Sequence, residues 1–207
     1  VTGGKIHRQP ASGFLENAAC VLREDGSESG LAYIIGFICH FTLDSDCHPV
    51  IRSFKQQDGL SHAGIEEEFD QVLMRQQKID PSRFSPKPLI PKKSGVANCA
   101  APFYPGAAHK QLNRSLFSMR HLSTVLYSPK IGWKGMRKVL AVVVRISKKG
   151  RNYVGGKIPD PASSSALEDL LFIFSEAPAT ALEQIENFLN AIEGNGSLNA
   201  RFAKNFE

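Results

Sequence analysis

Side chains that can bind metal recur at four-residue intervals inside an otherwise strongly apolar stretch of this chain. His40, Asp44 and His48 are each four positions apart, and His62 and Glu66 repeat that spacing. At 3.6 residues per turn, this spacing aligns side chains on one face of an α-helix. Any one of these residues alone would suit a hydrogen-bonded core histidine or a capping carboxylate. Burying all five without a cation would be costly, so the pattern predicts two helices that hold metal, and imidazole with carboxylate favours zinc.

The residues around the two motifs predict where each helix begins and ends. Pro49 disfavours the α conformation of the residue before it, so we expect the first helix to end at His48. Ser61 is a suitable N-cap for the second helix, and residues 50–60 are expected to form a surface loop at the mouth of the site. Gly36 lies inside the first helix, where glycine costs about 1 kcal/mol relative to alanine. We expect the close approach of a neighbouring helix to compensate.

The chain resembles the zinc-dependent phospholipase C family in two motifs and one residue: HFTLD, which ends at Asp44, His48, and SHAGIE, which ends at Glu66. The all-α fold of that family also occurs in the S1/P1-type nucleases. Those enzymes carry an HxxxD pair, a following histidine and an HxxxE or HxxxD pair on the next long helix. Glu66 in the last position is more similar to the phospholipase C branch. The resemblance implies that His40 and Asp44 serve one zinc site, that Asp44 bridges two ions, and that His48, His62 and Glu66 hold another. One to three zinc ions are expected.

His7 is expected to be a further ligand. From the residues alone, it suits an exposed loop histidine. Family members carry a ligand histidine in the segment before the HxxxD helix, and GGKIHRQPASGFLENA is similar to that segment. They also carry ligands further upstream, including the aspartate assigned to water activation. The resemblance therefore implies that residues 1–207 form a single domain that is incomplete at its N-terminus.

Apolar residues at helical spacing predict four further helices. The expected core stripes are Leu15, Ala18, Ala19 and Leu22; Leu112, Leu116, Met119, Leu122 and Leu126; Met136, Val139, Leu140 and Val143; and Leu182, Ile185, Leu189 and Ile192. We expect Gly194 to close the last helix and Pro178 to break or kink it. No segment shows strand alternation of useful length. The fold is predicted to be an all-α, single-domain helical bundle of about six helices, with metal ions held between helices.

The segment between residues 79 and 109 is rich in proline and glycine and shows no helical period. Its aromatic residues Phe84, Phe103 and Tyr104 predict that it is pinned to the rest of the protein. In that arrangement the segment can form one wall of the expected metal site. His109 and His121 have no partner at ligand spacing and are interpreted as structural residues.

Positive charge is concentrated in residues 81–159, which hold 16 of the 25 lysines and arginines and none of the 20 acidic residues. A set of solvated helix faces is one interpretation. The other is a surface that attracts phosphate groups, and the basic helix around Trp133 would suit peripheral contact with an anionic membrane. No recognisable nucleic-acid motif supports binding to nucleic acid.

The chain shows neither a basic segment followed by an apolar run nor 18 consecutive apolar residues, so no signal peptide or membrane span is visible. The four cysteines lack a CxxC spacing, and Cys39 is expected to be buried in an apolar helix. Reduced thiols of this kind suit a cytoplasmic protein. Cys47 is not favoured as a ligand, because neighbouring helical residues point about 100° apart.

These features predict a zinc-dependent hydrolase of phosphoester bonds that uses a zinc-activated water. Because the family's water-activating aspartate lies upstream of Val1, the resemblance implies that hydrolysis by this chain is impaired. By resemblance, its substrate class is a phospholipid diester. An S1/P1-like nuclease is the enzymatic alternative. The non-enzymatic alternative is a helical domain with a structural metal clamp and a basic docking surface.

Overall fold

The computed structural model describes residues 6–58, 62–81, 84, 87–91, 95–106, 109–126 and 164–206. Within these ranges there is no β-strand, which confirms the predicted all-α class. The described ranges contain six α-helices: α1 (Ala11–Asp25), α2 (Glu28–Asp58), α3 (His62–Gln76), α4 (Gly95–Ala100), α5 (His109–Leu126) and α6 (Ser164–Ile192). Short 3₁₀ helices cover Lys87–Leu89, Ala101–Phe103 and Ala200–Ala203.

The described residues belong to two compact units. Unit 1 takes its residues from 1–50, 94–113 and 169–207, and unit 2 from 51–93 and 114–168. Helices α2, α5 and α6 each contribute residues to both units. A single domain over residues 1–207 stays a prediction.

Helix α1 forms one side of the core of unit 1. Its buried residues are Ala11, Leu15, Ala18, Ala19 and Leu22, as the helical period predicts. The helix ends at Gly26, whose φ of 59° suits glycine and whose N–H donates to the carbonyl of Leu22. The sequence pattern therefore sets both the buried face and the end of this helix.

Aromatic side chains from distant parts of the chain complete this core. Phe41 of α2, Phe188 of α6, and Phe202 and Phe206 of the C-terminal segment are all fully buried. Full burial of such a side chain contributes about 1.5–3 kcal/mol. This cluster therefore holds the C-terminal segment against α2 within unit 1.

Pro49 does not end α2, which continues to Asp58. The predicted boundary at His48 and the predicted loop are therefore wrong over residues 50–58. A proline inside a helix costs about 3 kcal/mol, but Ile51 beyond it is only 3% exposed, and its burial offsets much of that cost. Pro178 likewise lies inside the continuous helix α6 and does not break it.

The buried face of α6 is centred one position before the predicted stripe. Leu182 is 61% exposed, whereas Ala181, Gln184, Phe188 and Ala191 are buried. Ile185 and Ile192 of the predicted stripe are partly buried against the same core, so the prediction is wrong at Leu182 and confirmed at these two residues. Both sets follow the helical period, so the sequence alone does not distinguish them. Gly194 follows the end of α6 with a φ of 80°, as expected for a glycine that closes a helix. The Arg23 guanidinium donates hydrogen bonds to the carbonyls of Ala191 and Ile192 at this end of α6.

Three further expectations about packing are wrong. Met119 of α5 and Cys39 of α2 are exposed. A Cβ at Gly36 would meet nothing within 4 Å in the described parts of the chain, so none of the described helices approaches there. The close approach occurs at Gly30 instead, where an added Cβ would lie 3.2 Å from the ring of Phe103. Phe103 is itself buried, which confirms that it pins its segment.

Unit 2 contains α3, whose residues Ile65 and Phe69 are buried as predicted. The Arg120 guanidinium donates to the carbonyl of Ile90 at 2.6 Å and ties α5 to the segment after the first 3₁₀ helix. Three predictions concern residues outside the described ranges: the N-cap Ser61, the helix around Trp133 and most of the basic residues 81–159. None of the described helices combines the length and hydropathy needed to cross a membrane.

Candidate metal centre

His40, Asp44 and His48 lie on one face of α2 in unit 1, because they are spaced four residues apart within this helix. The Nε2 atom of His40 lies 3.4 Å from Oδ2 of Asp44, and Nε2 of His48 lies 3.9 Å from the same oxygen. Asp44 and His48 are largely buried, whereas the His40 side chain is half exposed. The carboxylate therefore stands between two imidazoles, and the group is open to ligands at His40.

The separation of His40 and Asp44 matches that of two ligands on one ion. Zinc binds nitrogen and oxygen at about 2.0–2.1 Å in a tetrahedral arrangement, so two of its ligand atoms lie about 3.3 Å apart. The observed 3.4 Å is close to this value.

His7 joins this group from a distant segment, and hydrogen bonds to the C-terminal segment hold it there. The backbone N–H of Phe206 donates to the carbonyl of His7 at 3.2 Å, and the N–H of Ala11 donates to the carbonyl of Lys204 at 3.0 Å. These bonds fix the residues that precede α1. One ligand atom each from His7, His40 and Asp44 then lie within 4.8 Å of one another.

Phe206 orients both imidazoles of this group. Its ring stacks on that of His7 with centroids 4.4 Å apart and an interplanar angle of 5°, and it lies 5.3 Å from the ring of His40. Phe206 is completely buried. The residue therefore gives His7 an apolar wall on one face. Sequence reasoning missed this role, because His7 and Phe206 lie near opposite ends of the chain.

The donor set of His7, His40 and Asp44 fits a zinc ion. Two imidazole nitrogens and one carboxylate oxygen are ligands that zinc accepts, whereas magnesium and calcium favour oxygen alone. Three protein ligands also correspond to the zinc sites that keep a fourth position for water or substrate. Small movements of the side chains would bring the 4.8 Å spread to that of a coordination sphere.

In unit 2, His62 and Glu66 form the second pair of the sequence pattern. Nε2 of His62 and Oε1 of Glu66 are hydrogen-bonded at 3.1 Å, a distance that is also close to the ligand separation expected on zinc. Desolvation raises the pKa of Asp70, one turn further along α3, and the Glu66 carboxylate raises it further. Both effects favour the protonated form of the Asp70 carboxyl group.

Comparisons with protein-family models, curated proteins and solved structures find no match to this chain. The similarity to the zinc-dependent phospholipase C family therefore stays a prediction. So does the shared ion site of His48, His62 and Glu66, because His48 belongs to unit 1 and the other two belong to unit 2.

The two histidines without a partner at ligand spacing take part in other contacts. His109 is hydrogen-bonded to Asn98 and Asn113 in unit 1. His121 is exposed, and its ring is stacked on that of Phe117 with centroids 6.2 Å apart.

Two tyrosines line a pocket together with His7 and His40, and their residue types alone do not predict this position. The hydroxyls of Tyr33 and Tyr104 are hydrogen-bonded at 2.6 Å. Burial raises the pKa of Tyr33 well above its usual range, and the bond to Tyr104 raises it further. Burial also raises the pKa of Tyr104, while the bond from Tyr33 acts in the opposite direction. Both side chains are therefore neutral near pH 7.

Proposed function

We propose that this chain is a zinc-dependent phosphoesterase whose site is built around His7, His40 and Asp44. The observation that supports the proposal is the convergence of these three side chains, whose ligand atoms lie within 4.8 Å of one another. His7 and His40 are 33 positions apart in the sequence, so local spacing does not account for their proximity.

Each residue has a distinct task in this proposal. His7 and His40 hold the ion through imidazole nitrogen, and Asp44 supplies carboxylate oxygen. Phe206 keeps water from one face of His7 and fixes its ring. When bound, zinc lowers the pKa of a water ligand to about 7 and withdraws charge from phosphoryl oxygens.

The substrate in this proposal is a phosphodiester, and a phospholipid is the class implied by the family resemblance. In unit 2, His62 and Glu66 are the ligands proposed for a second ion. The 16 lysines and arginines within residues 81–159 attract the phosphate groups of an anionic membrane. The location is cytoplasmic.

Hydrolysis of bis(p-nitrophenyl) phosphate tests the proposal. The chain is stripped with a chelator, reloaded with zinc and assayed beside His40→Ala and Asp44→Asn. We expect hydrolysis that requires zinc and falls by at least about 100-fold in both variants. His121→Ala serves as the matched control and should keep the wild-type rate.

Two outcomes oppose the proposal in different ways. A rate that does not depend on zinc or on His40 excludes the assigned site. Tight zinc binding without hydrolysis favours the structural clamp, because a structural ion is closed by protein ligands and leaves no position for substrate.

A further inference from the structure

A pocket of about 370 Å³ in unit 1 adjoins the candidate metal centre. His7 and His40 belong both to its lining and to the ligand group. Its volume falls in the range of roughly 300–1,000 Å³ that is usual for small-molecule sites. A substituent on a phosphate group held at the metal centre can therefore enter this pocket.

The remaining lining of the pocket is aromatic and apolar. It consists of Tyr33, Phe37, Tyr104, Ile6, Ala32 and Gly36. None of the described lining residues is an aspartate, glutamate, lysine or arginine. A charged substituent would thus lose its hydration without gaining an ionic partner, so the pocket favours an uncharged group.

The aromatic side chains favour a ring over an aliphatic chain. The rings of Tyr33 and Tyr104 meet edge to face at 69°, and that of Phe37 stands at 77° to Phe206. Rings packed in offset or edge-to-face arrangements gain about 0.5–1.5 kcal/mol beyond their buried area.

The two tyrosine hydroxyls add a polar contact that an acyl chain would not use. They share one hydrogen bond, so whichever hydroxyl donates it, the pair retains one O–H proton for an additional acceptor. A ring that carries a nitrogen or oxygen acceptor would use this proton.

Gly36 and Ala32 determine how much room the pocket offers. Both line it from α2, one turn apart, and a Cβ at Gly36 would meet nothing within 4 Å. Glycine is a poor helix former, and none of the described segments approaches this position closely enough to explain it. Space for a ligand is a sufficient reason for its presence.

We infer that this pocket binds an uncharged aromatic or heteroaromatic ring attached to the phosphoester, beside the group formed by His7, His40 and Asp44. That the ring is attached to a phosphoester rests on the proposed phosphoesterase function. The preference for a ring rests on the residues that line the pocket.

The affinities of the zinc-loaded chain for phenylphosphonate, hexylphosphonate and methylphosphonate test this inference by calorimetry. We expect phenylphosphonate to bind about 10-fold more tightly than methylphosphonate. That ratio should fall to about 1 in Ala32→Leu and in Gly36→Leu, because leucine fills the pocket. It should persist in Gly13→Leu, a helical glycine of α1 that also faces open space.

A wild-type ratio near 1, or a ratio that Ala32→Leu leaves unchanged, overturns the inference. Tighter binding of hexylphosphonate than of phenylphosphonate overturns the preference for a ring. If no phosphonate binds, the metal proposal fails, and phenol without zinc decides the inference. Phenol binding that is lost in Ala32→Leu supports the ring site, and the absence of phenol binding overturns it.

Discussion

At the scale of single residues, the candidate metal centre depends on a few side chains that distant segments bring together. Asp44 lies 3.4 Å from His40 and 3.9 Å from His48 on the same helix. His7 joins them because the C-terminal segment holds its backbone and Phe206 stacks on its ring. The proposed ligand His7 and the ring of Phe206 that packs on it should therefore contribute separately to zinc affinity, and substitutions can distinguish the two contributions.

Removal of His7 should weaken zinc binding. His7→Ala leaves two protein ligands in the group, so we expect zinc affinity to fall by at least about 10-fold, the smallest effect usual for groups that support a site. Competition with a chromogenic chelator measures the affinity. His121→Ala, at an exposed histidine outside the group, should bind zinc as the wild type does, and equal losses in both variants would contradict the assignment.

Replacement of Phe206 should weaken zinc binding without removing a ligand. Phe206→Leu removes the ring that stacks on His7, and we expect a loss of about 10-fold in zinc affinity. Phe202→Leu is the matched control, because Phe202 is equally buried and packs on Phe41. Both variants should lose less than the roughly 3–5 kcal/mol in unfolding free energy that Phe→Ala changes cost. Unchanged zinc binding in Phe206→Leu would show that the stack has no orienting role.

At the scale of helices, long-range burial overrides local signals in α2 and α6. Each helix contains a proline in its interior, and each continues because residues beyond the proline are buried. The same burial selects which of two adjacent stripes of α6 faces inward.

Replacement of Pro49 should stabilise the protein. Pro49→Ala restores the backbone N–H that can donate to the carbonyl one turn before it, and it should raise the free energy of unfolding by up to about 3 kcal/mol. Urea denaturation measures the change. Pro10→Ala is the control, since Pro10 precedes α1 with an extended ψ of 136° and should give no gain. A loss of stability in Pro49→Ala would mean that the proline fits α2 without strain.

Substitutions in α6 should reveal which stripe packs inward. Leu182→Ala should change the free energy of unfolding by no more than about 0.5 kcal/mol, because Leu182 is 61% exposed. Phe188→Ala should cost about 3–5 kcal/mol, because Phe188 is fully buried. Chemical denaturation compares the two, and a larger cost at Leu182 would support the stripe predicted from the sequence.

At the scale of the whole molecule, ion binding and folding are coupled if the centre exists as proposed. His7 comes before α1 and His40 lies in α2, so one ion would tie together two segments that are distant in the chain. An ion that binds only the folded state stabilises that state by mass action.

Zinc should therefore raise the melting temperature. At 100 times its dissociation constant, zinc contributes about 2.7 kcal/mol, which corresponds to roughly 5–10 °C for a chain of this size. Differential scanning fluorimetry measures the shift, which a chelator should reverse. Magnesium is the control and should have little effect, because it prefers oxygen ligands. A melting temperature that zinc does not change would exclude a folded-state zinc site.

The sequence by itself determined the all-α class and most helix positions, because helical periodicity and turn residues act within a few positions. It also placed His40 with Asp44 and His62 with Glu66, because each pair spans a single helical turn. Only the tertiary structure decided that α2 passes Pro49, that Ala181 and not Leu182 faces inward, and that Phe206 stacks on His7. These outcomes depend on burial between segments far apart in the chain, and local sequence carries little information about that burial. The pocket beside His7 and His40 arises in the same way, since its walls come from the N-terminal segment, α2 and Tyr104.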